Sequence, residues 1–269
     1  MRKRFKPAVA GADFRGRRGV QILRVWRWSG VFGLGVGVLC AISVRSARSA
    51  PAPIDLAGHV EILDKDKKHT PGANTVVWIP GIAGVAGTAQ SGGALSNIAP
   101  TVAQKDKHFV PHVIAVAAGT EVSFPNLDPI FHNVFSLTPE DKFDLGLFRK
   151  GAAKSVRMAT PSLVRIYCNI HADMAAFVMV LDRGVFTITD AEGAYRLPTL
   201  PPGQYDVHAW NERTGEQIQK LTVDGAPPAG SGTAANLDFL LDASAYKPQA
   251  HKNKFGRDYP PVSKDVDRY

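Results

Sequence analysis

Cysteine is almost missing from this chain: 269 residues hold two, Cys40 and Cys168. A multi-disulfide scaffold is therefore excluded. Long apolar runs are missing as well. The uncharged apolar run from Ser29 to Val44 has 16 residues, short of the roughly 20 that a membrane-spanning helix needs. No internal repeat, heptad, phosphate-binding loop or dinucleotide fingerprint occurs, which removes solenoids, coiled coils and the common nucleotide-dependent enzymes. Acidic residues are absent from the first fifty positions apart from Asp13.

That last scarcity decides what the charge means. The net charge of +8 and pI near 9.5 suggest a nucleic-acid binder. Yet 11 of the 32 Lys and Arg lie in residues 1–50, and the remaining 21 face 23 acids. The body of the chain is slightly acidic, so nucleic-acid binding loses its support. A basic stretch from Arg2 to Arg27, the apolar run, then small residues before Pro51 read as an export signal over 1–50, with cleavage near Ser49 or Ala50. Arg17-Arg18 is a weak twin-arginine match. The expected compartment is the periplasm, with contact to the membrane only through that signal or an uncleaved anchor. Cleavage would remove Cys40 and leave Cys168 as a lone thiol in an oxidising compartment, where it must be buried, reactive or metal-bound.

Around the thiol the chain reads Val164-Arg165-Ile166-Tyr167-Cys168-Asn169-Ile170-His171-Ala172-Asp173-Met174. Val164, Ile166 and Cys168 alternate with polar neighbours, predicting a strand that delivers the sulfur from its inward face. A tight loop then presents His171 and Met174. Upstream, Asn126 to Ile130 predicts a turn, and His132-Asn133 opens another short strand. Two imidazoles, a thiolate and a thioether are the donors of a trigonal His₂Cys copper site with a weak axial Met. Other readings are a structural buried Cys, a zinc site and a Cys–His hydrolase. Zinc disfavours Met as a ligand, and the hydrolase lacks an oxyanion hole and a base across a cleft. His108 and His112 read as surface or half-buried. His59, His69, His208 and His251 show no partner pattern, and Met158 and Met179 read as core. Tyr167 points outward, either as a candidate electron-entry point or simply packed against its surroundings.

With those residues in view, the chain resembles the cupredoxins, most closely the amicyanin and plastocyanin group, over Thr101 to Asp182. Phe109-Val110-Pro111, Ala118-Gly119-Thr120-Glu121-Val122, the His-Asn pair and the closing loop carry the likeness. Phe143-Asp144-Leu145-Gly146-Leu147 is similar to bacterial methylamine-utilisation or plastocyanin-like proteins. The resemblance implies a Greek-key β-sandwich over 100–182 and one type-1 copper ion. Its ligands would be His132 Nδ1, Cys168 Sγ, His171 Nδ1 and Met174 Sδ. It also implies that Asn133, with Asn126 and Asn169, supports the ligands, Asn133 tying the first-histidine segment to the cysteine loop. His171 is then the exposed edge for electron exit. Ala172-Asp173 departs from the bulkier apolar residues of the group and leaves the docking surface undefined.

Beyond Asp182 the pattern remains β. Short strands are punctuated by Asp190-Ala191-Glu192-Gly193 and Pro201-Pro202-Gly203. Thr189 to Leu197 and Leu200 to Tyr205 resemble carboxypeptidase regulatory-like, transthyretin-type domains. Their missing opening hairpin is similar to Gly58 to Ile62 and Pro71 to Trp78. The expected organisation is all-β: 54–80 with 183–243 form one small sandwich and the cupredoxin is inserted between them. The rival reading adds 54–80 to the cupredoxin. A Gly/Ala/Ser-rich linker over 81–99 and a polar tail over 244–269, disordered or draped on a partner, complete the chain. The expected role is not enzymatic: single-electron transfer between a redox donor and acceptor. The alternative is copper carriage or storage, and a third reading is an adhesive or carbohydrate-binding sandwich with an incidental thiol.

Overall fold

The computed structural model describes residues 54–82, 99–182, 184–224, 235–248 and 250–259. The expected export signal over 1–50 and most of the expected 81–99 linker lie outside these residues. The fold is all-β. Three strands come first: β1 (Ile54–Leu63), β2 (His69–Pro71) and β3 (Val76–Pro80). The central group is β4 (Ala103–Lys105), β5 (His108–Val110), β6 (Val113–Ala117), β7 (Thr120–Pro125), β8 (His132–Ser136), β9 (Phe143–Phe148), β10 (Ala153–Met158), β11 (Ser162–Tyr167) and β12 (Ala175–Leu181). Six more follow: β13 (Gly184–Ile188), β14 (Ala194–Leu200), β15 (Gly203–Asn211), β16 (Gly215–Val223), β17 (Ala235–Asn236) and β18 (Phe239–Asp242). Among the described residues no helix is long and apolar enough to cross a membrane.

The central strands build a five-stranded sheet in the order β6-β12-β11-β8-β9, with the β7–β10 ladder and the β4–β5 hairpin completing the unit. The alternation read around Cys168 is what points Val164, Ile166 and Cys168 into one core, together with Phe124, Val134 and Met158. Strand β6 shows why alternation fails elsewhere. Its run Val113-Ile114-Ala115-Val116 is buried on every residue. Ile114 and Val116 enter the first core, while Val113 and Ala115 face a second with Phe186, Ile188 and Trp210. A strand covered on both faces reads as a continuous apolar run.

The flanking strands share sheets with one another. β3 pairs antiparallel with β13, Pro80 opposite Gly184, and with β15; β1 pairs with β14, β2, β17 and β18. Between these two layers lies a third core, with Leu56, Val77, Val207 and Phe239. Within the β1 layer, the chain joining β17 to β18 passes so close that a Cβ on Gly58 would stand 2.0 Å from the Leu237 carbonyl oxygen.

Apolar contact between the sheets is supplemented by an ion pair. His112 Nε2 donates to Glu212 at 2.7 Å, and Nδ1 donates to the Ala175 carbonyl at 3.1 Å. Both ring nitrogens thus act as donors, so the imidazolium is favoured. The hydrogen bond to Glu212, opposed by burial and helped by the carboxylate's charge and the Ala175 carbonyl, raises the His112 pKa above 6.5. The stabilisation is fully present below the unfolded value and lost as pH rises through the folded one. His112→Gln should lower stability at pH 6 by under about 1 kcal/mol, because the pair is partly solvated. Chemical denaturation from pH 6 to 9 should show the deficit shrinking as wild type deprotonates; a deficit that grows with pH would contradict this.

Candidate metal centre

Strand order gathers the donors. β11 and β8 are antiparallel neighbours, Tyr167 opposite Phe135. The end of β11 and the start of β8 therefore lie at one end of the sandwich. Cys168 follows β11, His132 opens β8, and residues 168–174 form the turn from β11 into β12. The turn is closed by the Cys168 amide on the Met174 carbonyl and the Met174 amide on the His171 carbonyl, each at 3.3 Å. A register shift between Asn133 and Phe135 in the β8–β9 pairing sits beside His132, the kind of irregularity that re-aims a side chain.

At this end His132 Nδ1 lies 3.1 Å from His171 Nδ1, and Cys168 Sγ lies 4.0 and 3.6 Å from them. The three donor atoms all fall within 4.8 Å of one another. Metal–N and metal–S bonds of about 2.0 and 2.3 Å, opened to a trigonal plane, place donors roughly 3.5 to 3.7 Å apart. The observed spacings bracket that range, so the pocket fits one ion. Met174 is fully buried in the same core as Cys168. The structure thus brings His132, Cys168 and His171 together and sets Met174 in the core beside them.

The tautomer of His132 follows from a residue that sequence reading passed over. Asp128 accepts from His132 Nε2 at 2.7 Å, and its carboxylate also accepts the Asp106 and Lys107 amides at 2.6 and 2.8 Å. Those amides come from the β4–β5 turn, where both residues have positive φ, the conformation of a two-residue hairpin. Asn126 fixes the intervening turn: its Oδ1 accepts the Asp128 amide, and its Nδ2 donates to the Ile130 and Phe148 carbonyls, each at 2.9 Å. With Nε2–H committed to Asp128, the neutral ring offers its Nδ1 lone pair to the pocket. Burial lowers the His132 pKa, against the pull of Asp128. For Asp128 itself, burial pushes upward, and the Lys107 amide, His132 and the Asp106 amide outweigh it, so its pKa falls.

Burial raises the pKa of the Cys168 thiol, opposed by the backbone amides of Asn133, Ile170 and His171. These amides would support a thiolate, but they do not replace the cation that a desolvated anion needs.

Several expectations are corrected. The expected tie between Asn133 and the cysteine runs through the Asn133 backbone amide, which faces the Cys168 sulfur, while its side chain donates to Asp144 on β9 at 2.8 Å. Its Oδ1 has no hydrogen-bond partner among the described residues. Asn169 Oδ1 instead accepts the Lys254 amide at 3.1 Å. The Nε2 edge of His171, expected to be open, is shielded from solvent. Tyr167 is packed between Phe135 and His251, the latter stacked at 4.1 Å. His251 therefore has partners that no local pattern announced, and the described part of the polar tail lies on its own chain. Of the other histidines without a partner pattern, His69 pairs with Glu61 and His208 with Glu216.

No protein-family model matches this chain, and no curated protein matches it. Among solved structures it is similar to amicyanin from Paracoccus versutus, at 20% identity over 32% of this chain and 84% of that one, TM-score 0.30. It is similar to a purple cupredoxin from Nitrosopumilus maritimus at 18% identity, over 30% and 98%, TM-score 0.28. A third likeness is a copper-containing nitrite reductase from Thermus scotoductus SA-01 at 22% identity, TM-score 0.31. It covers 35% of this chain and spans only 25% of the reductase's length. At identities and TM-scores this low, function has to be read from the chain's own donor atoms.

The clamp on His132 generates a graded expectation. Asp128→Ala should weaken metal binding by about 10- to 100-fold, the usual effect of removing a ligand's orienting partner. Asp128→Asn, which still offers an oxygen to Nε2–H, should lose less. Competition titrations with a chromophoric chelator measure both. Equal affinities for wild type and Asp128→Ala would remove the clamp's role.

Proposed function

We propose that this chain is an exported, periplasmic type-1 copper protein that carries single electrons between redox partners and is not itself an enzyme. The observation that carries the reading is a fully buried thiol set 3.6 and 4.0 Å from two imidazole nitrogens. A single proton can bridge only one pair of these donors at a time; a soft cation satisfies all three. Met174 as the fourth buried donor favours copper over zinc, which prefers Cys, His or carboxylate there. A copper ion bound by His132, Cys168, His171 and Met174 would supply a one-electron couple.

The chain's own part is rigidity. His132 is fixed by Asp128, β8 is buried along its whole length, and the 168–174 turn is closed by its own backbone. Donors held this way move little when charge changes, so little energy is spent on reorganisation. Loading requires loss of the Cys168 proton, and the Asn133, Ile170 and His171 amides stabilise the thiolate that results. We further assign 100–182 as a cupredoxin unit inserted into a transthyretin-type sandwich of 54–80 and 183–243. That sandwich acts as spacer and support.

Visible absorption and EPR spectra of the protein titrated with Cu(II) test this reading. An intense visible band with narrow copper hyperfine splitting, lost in Cys168→Ser, is expected. A colourless protein that binds one Cu(I) would instead identify a copper carrier or store, and no copper binding would sink both.

A further inference from the structure

Residues 250–259 have no role in the function proposed above, yet they meet the ligand turn at several points. The Tyr259 hydroxyl donates to the Cys168 carbonyl at 2.6 Å and lies 3.2 Å from His251 Nδ1. His251 stacks on Tyr167, immediately before the cysteine, and its ring is edge-on to Tyr259 at 5.1 Å. The Lys254 amide donates to Asn169 Oδ1, one residue past the sulfur. The Lys254 ammonium pairs with Asp144 at 2.6 Å, and the other oxygen of that carboxylate holds Asn133, the neighbour of His132. The segment is thus tied to both histidine-bearing parts of the centre.

These ties are of one kind. The anchors are hydrogen bonds, an ion pair and a ring stack, while the segment's large apolar side chain, Phe255, is 71% exposed. A segment held by polar contacts, with little apolar burial, belongs to the parts of a protein that open locally at low free-energy cost. Its internal turn keeps it compact when closed: Asn253 Oδ1 accepts the Phe255 and Arg257 amides, and the Asn253 amide donates to the Arg257 carbonyl.

We propose that 250–259 is a releasable cap on the ligand turn, with Tyr259 and Lys254 as its positioning residues. Closed, it holds the Cys168–Asn169 backbone in place and keeps solutes from the sulfur. Open, it frees the turn for exchange of the bound ion with an external chelator or acceptor protein. The second half of this proposal rests on the copper reading; the first does not.

The test separates the two. In metal-free protein, the rate at which Cys168 reacts with a small aromatic disulfide is compared for full-length wild type, Tyr259→Phe and Lys254→Ala, and for a chain ending at Pro248. Each point variant should react about tenfold faster, the factor expected from losing one hydrogen bond of ordinary strength. The shortened chain should react faster still, and Lys254→Arg should restore the slow rate. Circular dichroism and melting temperature identify any variant that misfolds, and the point variants then decide. In Cu(I)-loaded protein, loss of the ion to a chelator should accelerate in the same order. Thiol rates unchanged by Tyr259→Phe and Lys254→Ala in folded protein would overturn the cap. Accelerated thiol rates in a protein that binds no copper would uphold the cap and overturn the copper reading.

Discussion

A sulfur atom that cannot reach water sets the terms for the ligand end of this molecule. A buried thiol is tolerable as a small apolar group, but a buried thiolate is not unless something nearby carries positive charge. Three backbone amides already point at Cys168, and two imidazole nitrogens stand within 4.0 Å. Such an arrangement is poor for a neutral thiol and good for a thiolate bound to a soft ion. The rest follows from keeping it in place. One antiparallel strand pair brings His132 and Cys168 to the same end, one turn adds His171, and the Asp128 carboxylate settles which nitrogen His132 presents.

Support for that carboxylate comes from far along the chain. Asp128 is held by amides of the β4–β5 turn, whose positive-φ residues aim their N–H groups at it. The line from turn amide to carboxylate to imidazole crosses three separate segments. It transmits the rigidity of the sandwich to a single lone pair. In the same way the central sheet, apolar on both faces at β6, is packed through Val113 and Ala115 against Phe186, Ile188 and Trp210 of the flanking strands.

Sequence and structure are unequal guides to these features. The all-β character was legible because strand alternation and Gly, Pro and Asp turns act locally. The residues His132, Cys168 and His171 stood out because rare side-chain types occur at strand ends with fixed spacing. Asp128 did not stand out: an Asp in an Asn-Leu-Asp-Pro turn is explained by the turn itself, and its bond to His132 exists only once β4 and β5 are in place. His251, Lys254 and Tyr259 were invisible for a different reason. Each makes one or two contacts, a ring stack for His251 and polar ones for Lys254 and Tyr259, without periodicity, to residues more than eighty positions away.

The pairing of β3 with β13 has a consequence for how the polypeptide is assembled. Pro80 and Gly184 are opposite one another, and everything between them must leave and return at that point. During synthesis β1, β2 and β3 are made before β13 and its successors; until those follow, β1 has only β2 beside it and β3 has no sheet partner. Hydrogen-bonding edges of that kind attract other chains. If the central unit folds as soon as it is complete, it draws its two ends together and replaces a long, costly loop closure by a short one. The order of translation then becomes part of the fold's protection: the nascent chain exposes an open sheet edge for the time it takes to make residues 81–183, and closes it from the middle outward.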